Sequence, residues 1–281
     1  MARLTVADLP RHAVMGILNV TPASFSDGGA HLAHDDAVTH GLAMHEAGAA
    51  IIDVGGESTR PHAEPVPADE ELRRVLPVVR TLVENGVRVS IDTTKAVVAS
   101  AALDAGAVMV NDVSGGVADA GMLPVVAAAD AAYVVMHRRG DPRTMQDAAI
   151  YANVVDEVAG ELRTCLAAAL DAGVHPEALL ADPGIGFAKT AEHSIAILRA
   201  LPRLSAEVGI PLLVGASRKS FLRSFIGDGD EAARDDATLA CSVWCFAHGC
   251  AMVRVHDVAA SVRACTFLDT LARATPEGMA A

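Results

Sequence analysis

The chain has 281 residues, of which 52% are apolar and 3% aromatic, and carries a formal net charge of −13 from 22 Lys and Arg against 35 Asp and Glu. That acidic balance argues against general nucleic-acid binding, which needs a positive footprint, but leaves room for a small anion site made of local donors. The apolar content supplies a sizeable core and argues against disorder.

In chain order, short β-branched runs alternate with Ala-rich stretches. The first run, VMGILNV (14–20), precedes a predicted helix over 35–48, with Ala37, Gly41, Met44 and Gly48 on one stripe. AIIDVGG (50–56) precedes a helix over 68–85, and VRVSIDT (87–93) one over 95–105. VMVNDVS (108–114) is followed by a helix over 119–129, and AYVVMH (132–137) by one over 150–173. ALLADPG (178–184) leads to a helix over 190–206, and PLLVGAS (211–217) to a loop-broken helical stretch over 218–249. AMVRVHD (251–257) and a helix over 258–274 close the series. Each run is nearly all apolar, as in parallel strands buried on both faces. Gly48, Gly86, Gly106 and Gly173 stand where helix C-terminal caps are expected. The polar stretches 138–149 and 227–236 read as exposed loops. Eight such units in one domain, residues 1–281 with a core of about 14–274, predict an α/β fold of the (β/α)8 TIM-barrel type, with a doubly wound open sheet as runner-up.

No apolar run reaches membrane-spanning length, and the opening MARLTVADLP lacks a leader's apolar segment, so a cytoplasmic protein is expected. The cysteines Cys165, Cys241, Cys245, Cys250 and Cys265 are odd in number and scattered, which reads as reduced, buried apolar side chains. No convincing zinc set can be built around Cys241 and Cys245.

In such a barrel the catalytic face lies at the C-terminal strand ends. Polar residues gather there: Asn19, Asp53, Asp92, Asn111, Asp112, His137, Asp182, the Ser217-Arg218-Lys219 run, Arg254, His256 and Asp257. Any one of them reads equally well as a turn residue or helix cap; together they read as a site. Two zones emerge. Asp92, Asn111, Asp182 and Lys219 suit a flat nitrogen heterocycle, since a carboxylate pairs bidentately with an N–C–N edge. A purely structural salt bridge among Asp92, Asp182 and Lys219 is the alternative. In MVRVHDV (252–258), Arg254 and His256 share one strand face and offer donors for phosphate oxygens. Asn19 is brought near them by closure of strand 8 on strand 1 and adds a hard oxygen for Mg²⁺. His256 taken alone reads as a buried histidine bonded to backbone.

The motifs GILNVTPASFSDGG (16–29), DVGGESTRPHAEPV (53–66), SIDT (90–93), VNDVSGG (110–116), VMHRRGDPRTMQ (135–146), DPGIGFAKT (182–190), GASRKSF (215–221) and RVHDV (254–258) resemble dihydropteroate synthases over about residues 14–270. The resemblance implies a transferase of folate biosynthesis. It joins 6-hydroxymethyl-7,8-dihydropterin diphosphate to 4-aminobenzoate, giving 7,8-dihydropteroate and diphosphate. Matched by position, Asp92, Asn111, Met136, Asp182, Phe187, Lys219 and Arg254 would hold the pterin. Asn19, Arg254 and His256 would hold the diphosphate, with Mg²⁺ on Asn19. Phe25, Thr59, Arg60, Pro61, Phe187, Lys219 and Ser220 would surround 4-aminobenzoate. Asp92, Asp182, Lys219 and Arg254 form the implied catalytic set, joined by Asp27 when loops 21–34 and 56–67 close. The amine's lone pair is free at neutral pH, so no strong general base is expected. Arg254→Ala is expected to abolish turnover with a modest loss of stability.

The resemblance further implies sulfonamides as inhibitors and a homodimer through the helices after strands 6 to 8, with Trp244 in an apolar patch. His62 stands where the family commonly has Gly, which makes drug response hard to read. Two rivals remain in view. A pterin-binding methyltransferase acting on methyltetrahydrofolate would not need Arg254 and His256 as a diphosphate clamp, nor the SRKSF and GGESTRP motifs. An inactive paralogue would be expected to lose Asn19, Asp182, Lys219 or Arg254, and all four are present.

Overall fold

The β-branched runs form eight parallel strands in a computed structural model that describes residues 3–21, 29–59, 63–141, 143–227 and 230–273, with side chains 22–33, 231 and 273 left aside. The strands are β1 (Ala13–Asn19), β2 (Ile51–Gly55), β3 (Val89–Asp92), β4 (Met109–Asp112), β5 (Ala132–Met136), β6 (Leu179–Asp182), β7 (Leu213–Val214) and β8 (Met252–Val255). Their order is β6-β5-β4-β3-β2-β1-β8-β7, and a parallel bridge from Ala181 to Leu212 joins β6 to β7 and closes the ring. The (β/α)8 expectation therefore holds, and the open-sheet reading does not.

The helices are α1 (Gly29–Glu46), α2 (Ala68–Glu84), α3 (Ala96–Asp104), α4 (Met122–Ala128), α5 (Val154–Asp171), α6 (Ala191–Arg199), α7 (Leu201–Val208), α8 (Arg223–Ile226), α9 (Glu231–Ala247) and α10 (Val258–Arg273). The helix expected over 190–206 is two helices. Pro202 lies in the first turn of α7, where its missing N–H is harmless but its ring ends the preceding turn. The helix expected from 150 starts at 154, because Asn153 accepts hydrogen bonds from the Val155 and Asp156 amides and caps it. Gly48, Gly86, Gly106 and Gly173 take positive φ, as caps require. On α1, Ala37 and Met44 are buried as the stripe predicted. Gly41 lets α1 approach α2 closely, since a Cβ there would sit 2.9 Å from Leu82 Cδ2.

Period-2 alternation divides the strand residues into two cores. Val14, Leu18, Ile52, Val54, Ile91, Tyr133, Val135, Ala181 and Val253 face outward and pack under the helices. Ala13, Met15, Ile51, Met109, Ala132, Val134, Leu180, Leu213 and Met252 fill the barrel interior, with Leu4 beneath them. The inward positions continue upward as Asp53, Asp92, Asn111, Met136, Asp182 and Arg254. The interior thus changes from apolar at the floor to polar at the C-terminal mouth.

Candidate active site

Arg254 is the centre of the mouth. Its Nε donates to Asp53 Oδ2 at 2.6 Å and its Nη2 to Asp92 Oδ2 at 2.7 Å. Asn111 Nδ2 donates to the same Asp53 oxygen at 2.8 Å. Asp53 is fully buried and the Arg254 side chain is 18% exposed. Burial opposes the charge on Arg254, and Asp53 and Asp92 more than compensate, raising its pKa. Burial pushes the Asp92 carboxyl up to about 7, against the pull of Arg254 and with Asp53 adding to the rise. Asp53 is the residue that sequence reasoning counted at the strand ends but gave no role. It lies mid-strand, yet alternation places it in the inward-facing row that also bears Gly55, and that was the available signal.

Asp182 ends β6, and its Oδ1 accepts the Gly184 amide at 2.7 Å. Burial raises its pKa, opposed by Lys219, the Gly184 amide, Lys189 and Arg254. The turn after it is built on left-handed backbone at Gly184 (φ 67°), Gly186 (φ 79°) and Ala188 (φ 49°). At Gly184 a side chain is impossible, because a Cβ would fall 1.9 Å from the His137 carbonyl oxygen. Lys219 donates to the Ile185 carbonyl, and its Nζ stands 4.4 Å from the centre of the Phe187 ring. Burial brings the Lys219 ammonium down to about 8, with Asp182 as its main support. Gly215 leaves space here, since a Cβ would lie 3.8 Å from both Asp182 Oδ2 and Arg254 Cβ.

The remaining predicted residues fall as follows. Met136 is buried at the end of β5, level with Asp182 across the β5–β6 pairing. Asn19 ends β1, and β1 pairs with both β2 and β8, so it stands on the strand beside Arg254 and His256. His256 Nδ1 lies 2.8 Å from Ser217 Oγ, which also accepts the His256 amide at 3.2 Å. Thr59 is half-buried after β2, and Ser220 is exposed at the start of a 3-10 turn, Ser220–Leu222, that leads into α8. Phe25, Asp27, Arg60, Pro61 and His62 lie outside the described residues.

Several polar residues at the strand ends have other work. Asp112 faces outward, accepting the Ser114 and Gly116 amides and the Tyr133 hydroxyl, so it orders the loop after β4. Arg218 (φ 55°) grips Asp235 of α9 at 2.7 and 2.8 Å, which anchors the turn presenting Lys219. The chain holds only three lysines, Lys95, Lys189 and Lys219, and they follow β3, β6 and β7. Lys95 pairs with Glu57 and with the fully buried Glu71, tying the loop after β2 to the loop after β3.

A buried carboxylate pair, an amide and two cations at the mouth of a barrel can grip a flat, guanidine-like heterocycle. Comparisons with known proteins agree. A family profile described as "Pterin binding enzyme" matches residues 15–256. The dihydropteroate synthase of Mycobacterium leprae is 50% identical over 270 residues, covering 94% of this chain and 95% of that protein. The Xanthomonas albilineans dihydropteroate synthase solved with 4-aminobenzoic acid superposes with a TM-score of 0.88 at 43% identity, covering 97% and 96% of the two chains. The Yersinia pestis dihydropteroate synthase in a sulfonamide drug complex gives a TM-score of 0.88 at 38% identity, covering 96% and 97%. With the pterin-type mouth, the closed barrel and these likenesses in agreement, the chain belongs to the dihydropteroate synthases, the pterin-binding transferases of folate biosynthesis.

Proposed function

We propose that the mouth is divided into three subsites for the condensation of 6-hydroxymethyl-7,8-dihydropterin diphosphate with 4-aminobenzoate. In the pterin subsite, Asp182 and Asp92 take the N–C–N edge and the ring N–H groups, Asn111 and Lys219 add polar contacts, and Met136 and Phe187 are the walls. Arg254 lies beneath the ring and, with His256 and Asn19, receives the diphosphate. Phe25, Thr59, Arg60, Pro61, Phe187, Lys219 and Ser220 line the 4-aminobenzoate subsite. The observation that carries this reading is the Asp53–Arg254–Asp92 chain, which holds a cation rigidly at the junction of the pterin and diphosphate subsites.

The C–O bond to diphosphate breaks, with its electron pair leaving on the phosphate oxygen. Arg254 and His256 match the charge that develops there, in fixed positions that need no reorganisation. The dihydropterin ring stabilises the methylene cation, and Asp92 and Asp182 hold the ring as its positive charge rises. Asp27, which lies outside the described residues, is proposed as a further member of this catalytic set. The amine of 4-aminobenzoate then forms the new C–N bond and loses a proton to solvent.

Among the described residues no group of three or more His, Cys, Asp or Glu side chains is placed to hold a metal. Asn19 offers one hard oxygen, which suits Mg²⁺ as a companion of the diphosphate. So held, it would neutralise phosphate charge.

Sulfonamides, seen on the Yersinia pestis relative, are expected to compete for the 4-aminobenzoate subsite. The five free cysteines fit a reducing cytoplasm, and among the described residues no helix is long and apolar enough to cross a membrane. A homodimer through α9 and α10 is supported by the exposed apolar side chains Trp244, Phe267 and Leu271.

The test is a diphosphate-release assay with both substrates and Mg²⁺. Turnover should require 4-aminobenzoate, and Asp182→Asn should lower kcat/KM for the pterin substrate by about 100-fold, the worth of a buried charge-assisted pair. No release with both substrates saturating would overturn the reading.

A further inference from the structure

Behind the pterin subsite lies a buried chain of polar groups that the reaction above does not use. Lys189 is 3% exposed. Its Nζ donates to the Phe187 carbonyl at 2.9 Å and lies 2.8 Å from His137 Nδ1. His137, also 3% exposed, places its Nε2 2.9 Å from Glu161 Oε2 on α5. Burial, reinforced by the Lys189 charge, holds the His137 pKa down to about 3. The imidazole is therefore neutral, with Nε2–H donating to Glu161 and Nδ1 accepting from the Lys189 ammonium.

This chain ends against the machinery. The Phe187 carbonyl that Lys189 holds belongs to the residue whose ring lies under Lys219. Lys189 Nζ also sits 3.4 Å from where a Gly184 Cβ would be, and the Gly184 amide is the one bonded to Asp182. The charges facing Lys189 are Asp182 from β6, Lys219 from the turn after β7, Glu161 from α5 and Arg139 from the loop after β5. Those facing Asp182 are Lys219, Lys189 and Arg254. A buried ammonium placed here is costly unless its charge is used.

We propose that Lys189 is a positioning residue of the pterin subsite: it clamps the Gly184–Ala188 turn through the Phe187 carbonyl and sets a positive charge behind Asp182 that keeps this carboxyl ionised for the pterin. His137 and Glu161 hold the ammonium in place from the far side. The inference rests on the reading of Asp182 as the pterin carboxylate. Burial brings the Lys189 ammonium down to about 7, so it carries its charge on the acid side of neutrality. Without that charge, Asp182 protonates at higher pH, and the acid limb of the pterin kcat/KM moves upward.

The test compares wild type, Lys189→Gln and Lys189→Arg between about pH 5 and about pH 9. Gln removes the charge but keeps a donor for the Phe187 carbonyl, whereas Arg keeps the charge. The acid limb of kcat/KM for dihydropterin diphosphate should rise by about one unit in Lys189→Gln and stay in place in Lys189→Arg. A folded Lys189→Gln enzyme with an unmoved limb, or the same shift in both variants, overturns the proposal.

If Lys189→Gln does not fold, the coupling can be read from the other side. With only three lysines in the chain, ¹⁵N-lysine spectra are simple to assign. The Lys189 titration should fall by about one unit in Asp182→Asn, because the coupling of two sites is reciprocal. An unchanged titration overturns the proposal. Asp182→Asn with undiminished pterin binding would instead remove the pterin-carboxylate reading, whatever Lys189 does.

Discussion

Removing Arg254 would leave Asp53 and Asp92 buried in the barrel without their cation. Arg254→Ala is therefore expected to cost about 3–5 kcal/mol in urea melts as well as turnover. This revises the modest loss expected from sequence, because Asp53 had not been recognised as the buried partner. The sign with pH is fixed. The Asp92 carboxyl already titrates at about 7 in the wild type, and without Arg254 it holds its proton to still higher pH, so the deficit is level below about pH 7 and grows as pH rises above it. Asp53→Asn added to Arg254→Ala should return part of the stability and none of the activity. At Gly184 the constraint is steric: Gly184→Ala meets the His137 carbonyl and a left-handed φ together. It should lower stability by more than about 2 kcal/mol, or prevent folding, in the same melts. Sequence placed Asp92, Asn111 and Asp182 at strand ends because apolar runs stop there. It missed Lys189 because the residue lies in a turn, where a lysine ordinarily reads as solvated surface and only long-range packing buries it.

At the scale of elements, the strands were legible because β-branched apolar runs bounded by Gly and Asp have few other readings. β7 is the exception, shrunk from the run 211–217 to Leu213–Val214, with Leu212 left to form the closing bridge. Helix ends were harder, since they depend on caps. Pro202 carried a readable stop signal that a 17-residue periodic stretch obscured. Asn153 gives the prediction at this scale: Asn153→Ala removes the acceptor for two α5 amides and should destabilise by about 1 kcal/mol, seen as a lower urea midpoint with unchanged slope. The pterin kcat/KM should not change.

For the whole molecule, three of the large apolar side chains left outside lie on the neighbouring helices α9 and α10. Trp244 is 43% exposed on α9, while Phe267 and Leu271 are 62% and 56% exposed on α10, which packs beside it. Phe267→Asp with Leu271→Asp should convert a dimer to monomers in sedimentation velocity, with folding intact. A monomeric wild type at micromolar concentration would refute the dimer.

The three lysines carry a consequence of another kind. The surface's positive charge is otherwise arginine, so primary side-chain amines occur only on loops around the mouth. Apart from the α-amine of the chain, a reagent that acylates amines is thereby addressed to one place on the molecule. Mass spectrometry of such labelling, with and without ligand, becomes a map of pocket occupancy that needs no engineered probe.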